Sequence, residues 1–74
     1  MGWDTGWAAE KASAAMRYLA DFYPEASGSE ALHRHQDAAH AAAVAGDEAG
    51  YLEALLGYMR AGRDEALRIR KGAA

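Results

Sequence analysis

The sequence predicts an all-α fold, a small three-helix bundle, and three observations support this. Apolar residues recur every three or four positions in three segments, which is the spacing of one face of an α-helix. Each segment is bounded by residues that start or stop helices, such as the single proline. Alanine, the strongest helix former, accounts for 20 of the 74 residues. We expect one domain, 1–74, with helices at about 5–23, 29–45 and 48–70.

The first predicted helix has clear signals at both ends. Asp4 or Thr5 can cap its start, because short polar side chains accept hydrogen bonds from the free N–H groups of a first turn. Pro24 ends the helix at about Tyr23, since proline cannot continue it. The apolar face follows alternating steps of four and three: Ala8, Ala12, Ala15, Leu19 and Phe22.

The second predicted helix begins at a serine. Either Ser27 forms a capping box with Glu30, or Ser29 caps the helix alone. No helix breaker follows until Gly46, which tolerates the left-handed backbone that closes a helix. Asp47 comes directly after it and is a good cap for the next helix. The second and third helices should therefore form an αα-hairpin with a minimal connection.

The third segment has the most regular pattern. Glu65 and Arg70 stand five positions apart, the offset that pairs charges across a parallel two-stranded coil. The same apolar stripe also suits ordinary packing inside a bundle, so both arrangements remain open. The stripe follows the a and d positions of a heptad: Leu52, Leu55, Met59, Gly62, Ala66 and Ile69.

Glycines make the continuity of the third helix an open question, since each costs about 1 kcal/mol relative to alanine inside a helix. The stretch 58–67 resembles the helix-turn-helix joint of tetratricopeptide-type repeats. That resemblance implies a break at Gly62, with Asp64 capping a short fourth helix as in an αα-hairpin. A second stripe of small residues would let another backbone approach closely: Gly50, Ala54, Gly57 and Ala61.

Size and composition favour a chain that works with a partner. A domain of 74 residues buries only about 60% of its unfolded surface, and alanine makes up 20 of the 38 hydrophobic residues here, so the core should be thin. Association with a larger protein, or with a second copy as a homodimer, would supply the missing burial. The absence of cysteine and of any long apolar run predicts a cytoplasmic chain with no secretory signal and no membrane span.

The motifs that usually carry chemistry are missing. The sequence has no glycine-rich phosphate loop, no nucleophile elbow, no zinc-protease motif, no calcium-binding loop and no thiol. We therefore expect no enzyme activity and no cofactor.

A histidine-rich stretch gives one alternative, a metal-binding helical module. His33, Asp37 and His40 stand at i, i+4 and i+7, so one helix face offers two imidazoles and a carboxylate. His35 points elsewhere, and no fourth ligand is evident. The other interpretation is a polar helix surface whose charge varies with pH.

The basic C-terminal segment gives another alternative, association with nucleic acid. Residues 60–74 hold five basic and two acidic side chains, whereas residues 1–59 hold three basic and nine acidic ones. Arginines at the end of a helix could follow a phosphate backbone, but the net charge of −3 disfavours nucleic acid as a partner. Cations at a helix C-terminus also stabilise its dipole.

The leading functional hypothesis is a small protein-interaction module that acts as a regulator, inhibitor or accessory subunit of a larger protein or complex. Trp3 and Trp7 should cover one end of the bundle, whereas Tyr51 and Tyr58 are equally suited to the core or to an interface. The predicted partner contacts lie on the third helix: Tyr51, Leu55, Tyr58, Met59, Arg63 and Arg70.

Overall fold

The structure, a computed structural model, describes residues 4–73. It consists of α1 (Thr5–Phe22), α2 (Glu30–Ala45) and α3 (Glu48–Ala73), with a short 3-10 turn at Pro24–Ala26. No strand occurs within these residues. The all-α three-helix prediction is confirmed, and every predicted helix end lies within three residues of the observed one.

The ends of α1 follow from local chemistry. The Asp4 carboxylate accepts a hydrogen bond from the Trp7 amide at 3.0 Å, so Asp4 rather than Thr5 is the cap. At the other end, the Tyr23 amide donates to the Leu19 carbonyl at 2.8 Å, and Pro24 opens the 3-10 turn. The predicted cover by Trp3 lies outside the described residues.

The junctions around α2 also follow the sequence signals. The Ser29 hydroxyl accepts a hydrogen bond from the Ala31 amide at 3.2 Å, so Ser29 rather than Ser27 caps α2. Gly46 takes the left-handed conformation, with φ of 71°. The Asp47 carboxylate then accepts from the backbone amide three residues on, at 2.9 Å, and begins α3.

The break at Gly62 that the repeat resemblance implies does not occur, because α3 is one continuous helix, Glu48–Ala73. Gly62 is buried against Leu19 of α1, and a Cβ added to it would lie 2.5 Å from a Leu19 δ-carbon. The glycine thus serves a close helix contact rather than a turn, and the joint typical of tetratricopeptide repeats does not form. Asp64 does not cap a fourth helix, since it lies within α3 beside Arg63.

Helices α1 and α3 run parallel. The Tyr51 hydroxyl donates a hydrogen bond to the Ala8 carbonyl at 2.7 Å, and both groups are buried. Leu19 lies against Gly62 further along, at the same separation of 43 residues. The constant separation shows that the two helices advance in register.

Helices α2 and α3 form the antiparallel hairpin that the sequence predicts. The His35 ring lies 2.7 Å from the position that a Cβ on Gly57 would take. These two residues are equally far from Gly46 on either side of the connection. The small-residue stripe of α3 therefore does allow a close approach, and the helix that uses it is α2 of the same chain.

The core is as thin as the composition predicts. Phe22 departs from the predicted apolar face of α1 and is 62% exposed. Leu52 departs from the predicted seam of α3 and is 40% exposed, because the buried face is centred on Tyr51 instead. The buried hydrophobic residues are Ala8, Ala15, Leu19, Ala26, Leu32, Ala39, Tyr51, Ala54, Leu55, Tyr58 and Ala66.

The bundle is open rather than closed. Helices α1 and α2 each pack along α3 but make almost no close approach to each other. The accessible surface is 5144 Å², whereas a compact monomer of 7.9 kDa exposes about 4,400 Å². The radius of gyration is 13.1 Å, against about 11.3 Å for a compact domain of this length. Within the described residues, no helix combines the length and hydrophobicity that crossing a bilayer requires.

Candidate functional site

The gap between α1 and α2 forms a groove, which we call the α1/α2 groove. Its floor is α3, through Tyr51, Leu55 and Tyr58. It consists of two adjoining depressions of about 560 and 270 Å³ that share Met16, Gln36 and Tyr58. The groove exists because α3 holds the other two helices apart.

The walls of the groove are mostly apolar. Met16 is 57% exposed and projects from α1 over both depressions. The long side chains of the floor and the alanines of the walls together give an apolar channel, open along one side. The apolar wall residues are Ala12, Met16, Leu19 and Ala20 from α1, and Leu32, Ala39 and Ala43 from α2.

The charged and imidazole side chains that line the groove are all basic. Arg17 lies on the α1 side, and His33 and His40 lie on the α2 side. Among the described residues that line the groove there is no aspartate or glutamate. Arg17 has a fixed positive charge, which neither histidine offsets. An acidic chain thus presents a groove without negative charge.

One end of the groove is fixed by a contact from the far end of α3. The Arg70 guanidinium donates to the Glu25 carboxylate at 2.7 and 2.9 Å and to the Phe22 carbonyl at 2.6 Å. Its charged carbon also lies 5.2 Å from the centre of the Tyr23 ring. Tyr23 and Pro24 line the groove, so this contact, the Arg70 clamp, holds that end in place.

Electrostatics around the clamp follow from these distances. The hydrogen bonds from Arg70 lower the pKa of the Glu25 carboxyl, and those from Glu25 raise the pKa of Arg70. Beside the clamp, burial raises the pKa of the Tyr18 hydroxyl, and a hydrogen bond with Tyr23 adds to the effect. The Tyr18 ring lies 5.7 Å from that of Tyr23. The clamp therefore joins an ion pair to an aromatic cluster.

The predicted partner contacts on α3 fall into two groups. Tyr51, Leu55 and Tyr58 are buried within the chain, with 7 to 8% of each exposed, and they reach the surface only as the groove floor. Met59 is half-buried against the core. For the two tyrosines the structure shows the core position, and their contact with a partner stays a prediction.

The two predicted arginine contacts also have intramolecular positions. Arg70 forms the clamp, and Glu65 pairs with Arg68 three residues along α3, so both already have partners within the chain in place of the pairing across a parallel coil that their spacing allows. Arg63 is exposed beside Asp64, with their charged atoms 3.5 Å apart. A parallel coiled coil on the predicted seam is excluded as well, because Leu55, Gly62 and Ala66 are buried inside this chain.

The described residues give no geometric support to the metal-binding alternative. His33, Asp37 and His40 are all exposed on α2. Within residues 4–73, no three His, Cys, Asp or Glu side chains lie close enough together to hold one ion. His35 packs on Gly57 instead. The histidine face therefore contributes to the rim of the groove rather than to a metal centre.

Sequence reasoning missed the residues that form the groove walls. Met16 and Gln36 belong to no motif, and only the separation of α1 and α2 brings them to one site. The exposure of a methionine on the predicted helix surface was the one available signal. No family model, no curated protein and no solved structure matches this chain.

Proposed function

We propose that this chain is a non-enzymatic protein-interaction module that binds one amphipathic helix of a larger protein in the α1/α2 groove. The observation that supports the proposal is that α1 and α2 pack on α3 without closing on each other. The resulting channel has an apolar floor and apolar walls, which is the surface that helix-in-groove recognition uses. A regulator, inhibitor or accessory subunit would act by holding a helix of its target there.

The shape of the groove favours a helix over a small molecule. The wall on α2 extends from Leu32 to Ala43, which is about 17 Å at the rise of an α-helix. Small-molecule sites enclose most of the ligand surface. This groove is open along its length, so it suits three turns of a helix that keeps its outer face in water or on its own protein.

The charge of the groove favours an acidic partner. Arg17, His33 and His40 line it without any described carboxylate. Complementary charges speed encounter and select among partners. The helix that fits best therefore has an apolar stripe flanked by aspartate or glutamate.

The polar groups of the groove give no support to catalysis. Ser29 lines it, but its hydroxyl oxygen accepts the hydrogen bond that caps α2. No paired carboxylates occur among the described lining residues. General acid and base work needs titratable groups within hydrogen-bond reach of each other or of a substrate, and the two histidines line different depressions of the groove. A binding function uses the residues that are present.

The test is a selection from displayed amphipathic helices with randomised apolar positions, in one library with a glutamate-rich polar face and one with a lysine-rich face. We expect the acidic library to yield binders that shift the amide resonances of Met16, Gln36 and Ala43. The Met16→Glu variant should weaken their binding at least tenfold. Val44→Glu is the matched control, because Val44 is an apolar residue of α2 that is 77% exposed and does not line the groove.

Two results would overturn the proposal. Enrichment of no binder from either library would exclude helix recognition. Binders whose resonance shifts avoid α1 and α2 would place recognition on another surface. Stronger binders from the lysine-rich library would refute the acidic partner while leaving the groove as the site.

A further inference from the structure

A second exposed apolar surface lies on the outer side of α3. Leu52, Leu56 and Leu67 are 40, 49 and 46% exposed. On a helix of 3.6 residues per turn they fall, together with Met59 and Arg63, within an arc of about 80°. We call these five residues the outer strip of α3. None of them lines the α1/α2 groove, so the strip is a separate surface.

Arg63 of the outer strip lies close enough to Tyr18 of α1 for its positive charge to oppose the rise in the pKa of the Tyr18 hydroxyl. The Tyr18 ring in turn lies 5.6 Å from the ring of Phe22. Phe22 is itself 62% exposed.

The outer strip is complementary to itself when reversed. About a point midway between Met59 and Arg60, Leu52 and Leu67 are equally distant, so each would face the other in an antiparallel copy. Leu56 and Arg63 are equally distant from the same point, and an arginine stem packs well on leucine. A two-fold axis there repeats every contact twice, as an isologous dimer requires.

Charge also favours the reversed arrangement. The first half of α3, residues 48–59, contains Glu48 and Glu53 and no basic residue. Residues 60–73 contain five basic residues and two acidic ones. Antiparallel pairing places the acidic half of one helix beside the basic half of the other. Parallel pairing would place like charges together.

We propose that the outer strip pairs with the outer strip of a second copy, so that two chains form an antiparallel two-fold dimer through α3. This differs from the parallel coiled coil of the sequence pattern, because Leu55, Gly62 and Ala66 of that seam are buried within each chain. It leaves the α1/α2 groove of each copy open and does not depend on the function proposed for it.

Sedimentation velocity across a wide concentration range tests the association. We expect the mass to rise from 7.9 kDa to twice that value in the wild-type chain. The Leu52→Glu variant should weaken the dimer at least tenfold, because at each end of the interface it places a carboxylate against Leu67 of the second copy. Val44→Glu, on exposed α2 surface, and Met16→Glu, in the groove, should leave it unchanged. A wild-type chain that stays at 7.9 kDa throughout would refute the dimer.

Disulfide formation tests the orientation without relying on the glutamate variant. The described chain has no cysteine, so single replacements report one position each. A mixture of Leu52→Cys and Leu67→Cys chains should form the mixed disulfide faster than either symmetric one, since a disulfide needs Cβ atoms about 4 Å apart. Faster formation of the symmetric disulfides would refute the antiparallel arrangement.

Discussion

Leu19 of α1 occupies the space that a side chain on Gly62 of α3 would need. Its δ-carbons lie 2.5 and 2.6 Å from the position of a Cβ on Gly62, and Leu19 is buried. A glycine in the middle of a 26-residue helix is therefore a packing requirement. This glycine allows α1 to pack closely against α3.

Replacing Gly62 by alanine should lower the melting temperature. Alanine gains about 1 kcal/mol in helix propensity, but overpacking a buried contact costs about 1–3 kcal/mol, so the net effect is a loss. Gly72→Ala is the control, because nothing lies within 4 Å of a Cβ there. Thermal melts followed by circular dichroism decide the matter. A higher melting temperature for Gly62→Ala would contradict the close contact with Leu19.

The Arg70 clamp should stabilise the fold more than an ordinary surface pair, because it joins the end of α3 to the turn after α1. We expect Arg70→Ala to lower the melting temperature by about 4–8 °C, a shift that a domain of this size shows for a moderate loss of stability. Arg70→Lys should recover only part, since lysine cannot make the two-pronged contact with Glu25.

The control for the clamp is Arg68→Ala. Arg68 also pairs with a carboxylate, but its partner Glu65 lies three residues away on the same helix. Solvent-exposed ion pairs within one helix contribute little to stability. Equal melting temperatures for the Arg70→Ala and Arg68→Ala variants would show that the clamp stabilises the fold no more than a pair within one helix does.

The clamp should also make stability depend on pH. Because Arg70 lowers the pKa of Glu25 in the folded chain, the pair stabilises the fold above the pKa of an unfolded glutamate, about 4.3. That contribution is lost as the pH falls through the lowered pKa. The gap in melting temperature between the wild type and Glu25→Gln should therefore be largest above about pH 5 and should narrow below about pH 4. A gap that is constant from pH 7 to pH 3 would contradict the lowered pKa.

The Tyr51 hydroxyl should stabilise the contact between α1 and α3. Tyr51→Phe removes the buried hydrogen bond to the Ala8 carbonyl, which we expect to cost about 1 kcal/mol in the free energy of unfolding. Tyr58→Phe is the matched control, because the Tyr58 hydroxyl makes no hydrogen bond within residues 4–73, and its loss should cost little. Urea titrations of both variants give the comparison. Equal losses in the free energy of unfolding would show that the hydrogen bond from Tyr51 to Ala8 does not stabilise the fold.

Features set by neighbouring residues, such as helix ends, could be predicted from the sequence. Contacts between residues far apart in the sequence could not. Pro24, Ser29 and the pair Gly46 and Asp47 set helix ends through their own backbone chemistry, so the three helices were predicted within a few residues. The continuity of α3 through Gly62 stayed open, because helix propensity is a local property whereas the reason for this glycine, contact with Leu19, lies 43 residues away in the sequence.

The candidate site was harder to predict than the fold for the same reason. Arg70 and Glu25 are 45 residues apart, and no pattern links them. The groove depends on a contact that α1 and α2 fail to make, and sequence periodicity cannot register a missing contact. Burial of Tyr58 likewise depends on both neighbouring helices. What the pattern did show was that α3 has two stripes suited to packing, one apolar and one of small residues.

A substitution at Tyr58 distinguishes a core position from an interface position, and the structure predicts that the substitution unfolds the chain. Tyr58 is 7% exposed, and truncating a buried aromatic side chain costs about 3–5 kcal/mol. A 74-residue domain has a total stability of roughly 4–11 kcal/mol, so Tyr58→Ala should unfold a large part of the population near 37 °C. Met59→Ala, at a half-buried position, should keep the fold. A Tyr58→Ala chain that keeps its helical signal and melting temperature would return Tyr58 to the surface role that the sequence allowed. If it unfolds, lost binding in that variant says nothing about an interface, and Met16→Glu becomes the variant that tests the groove.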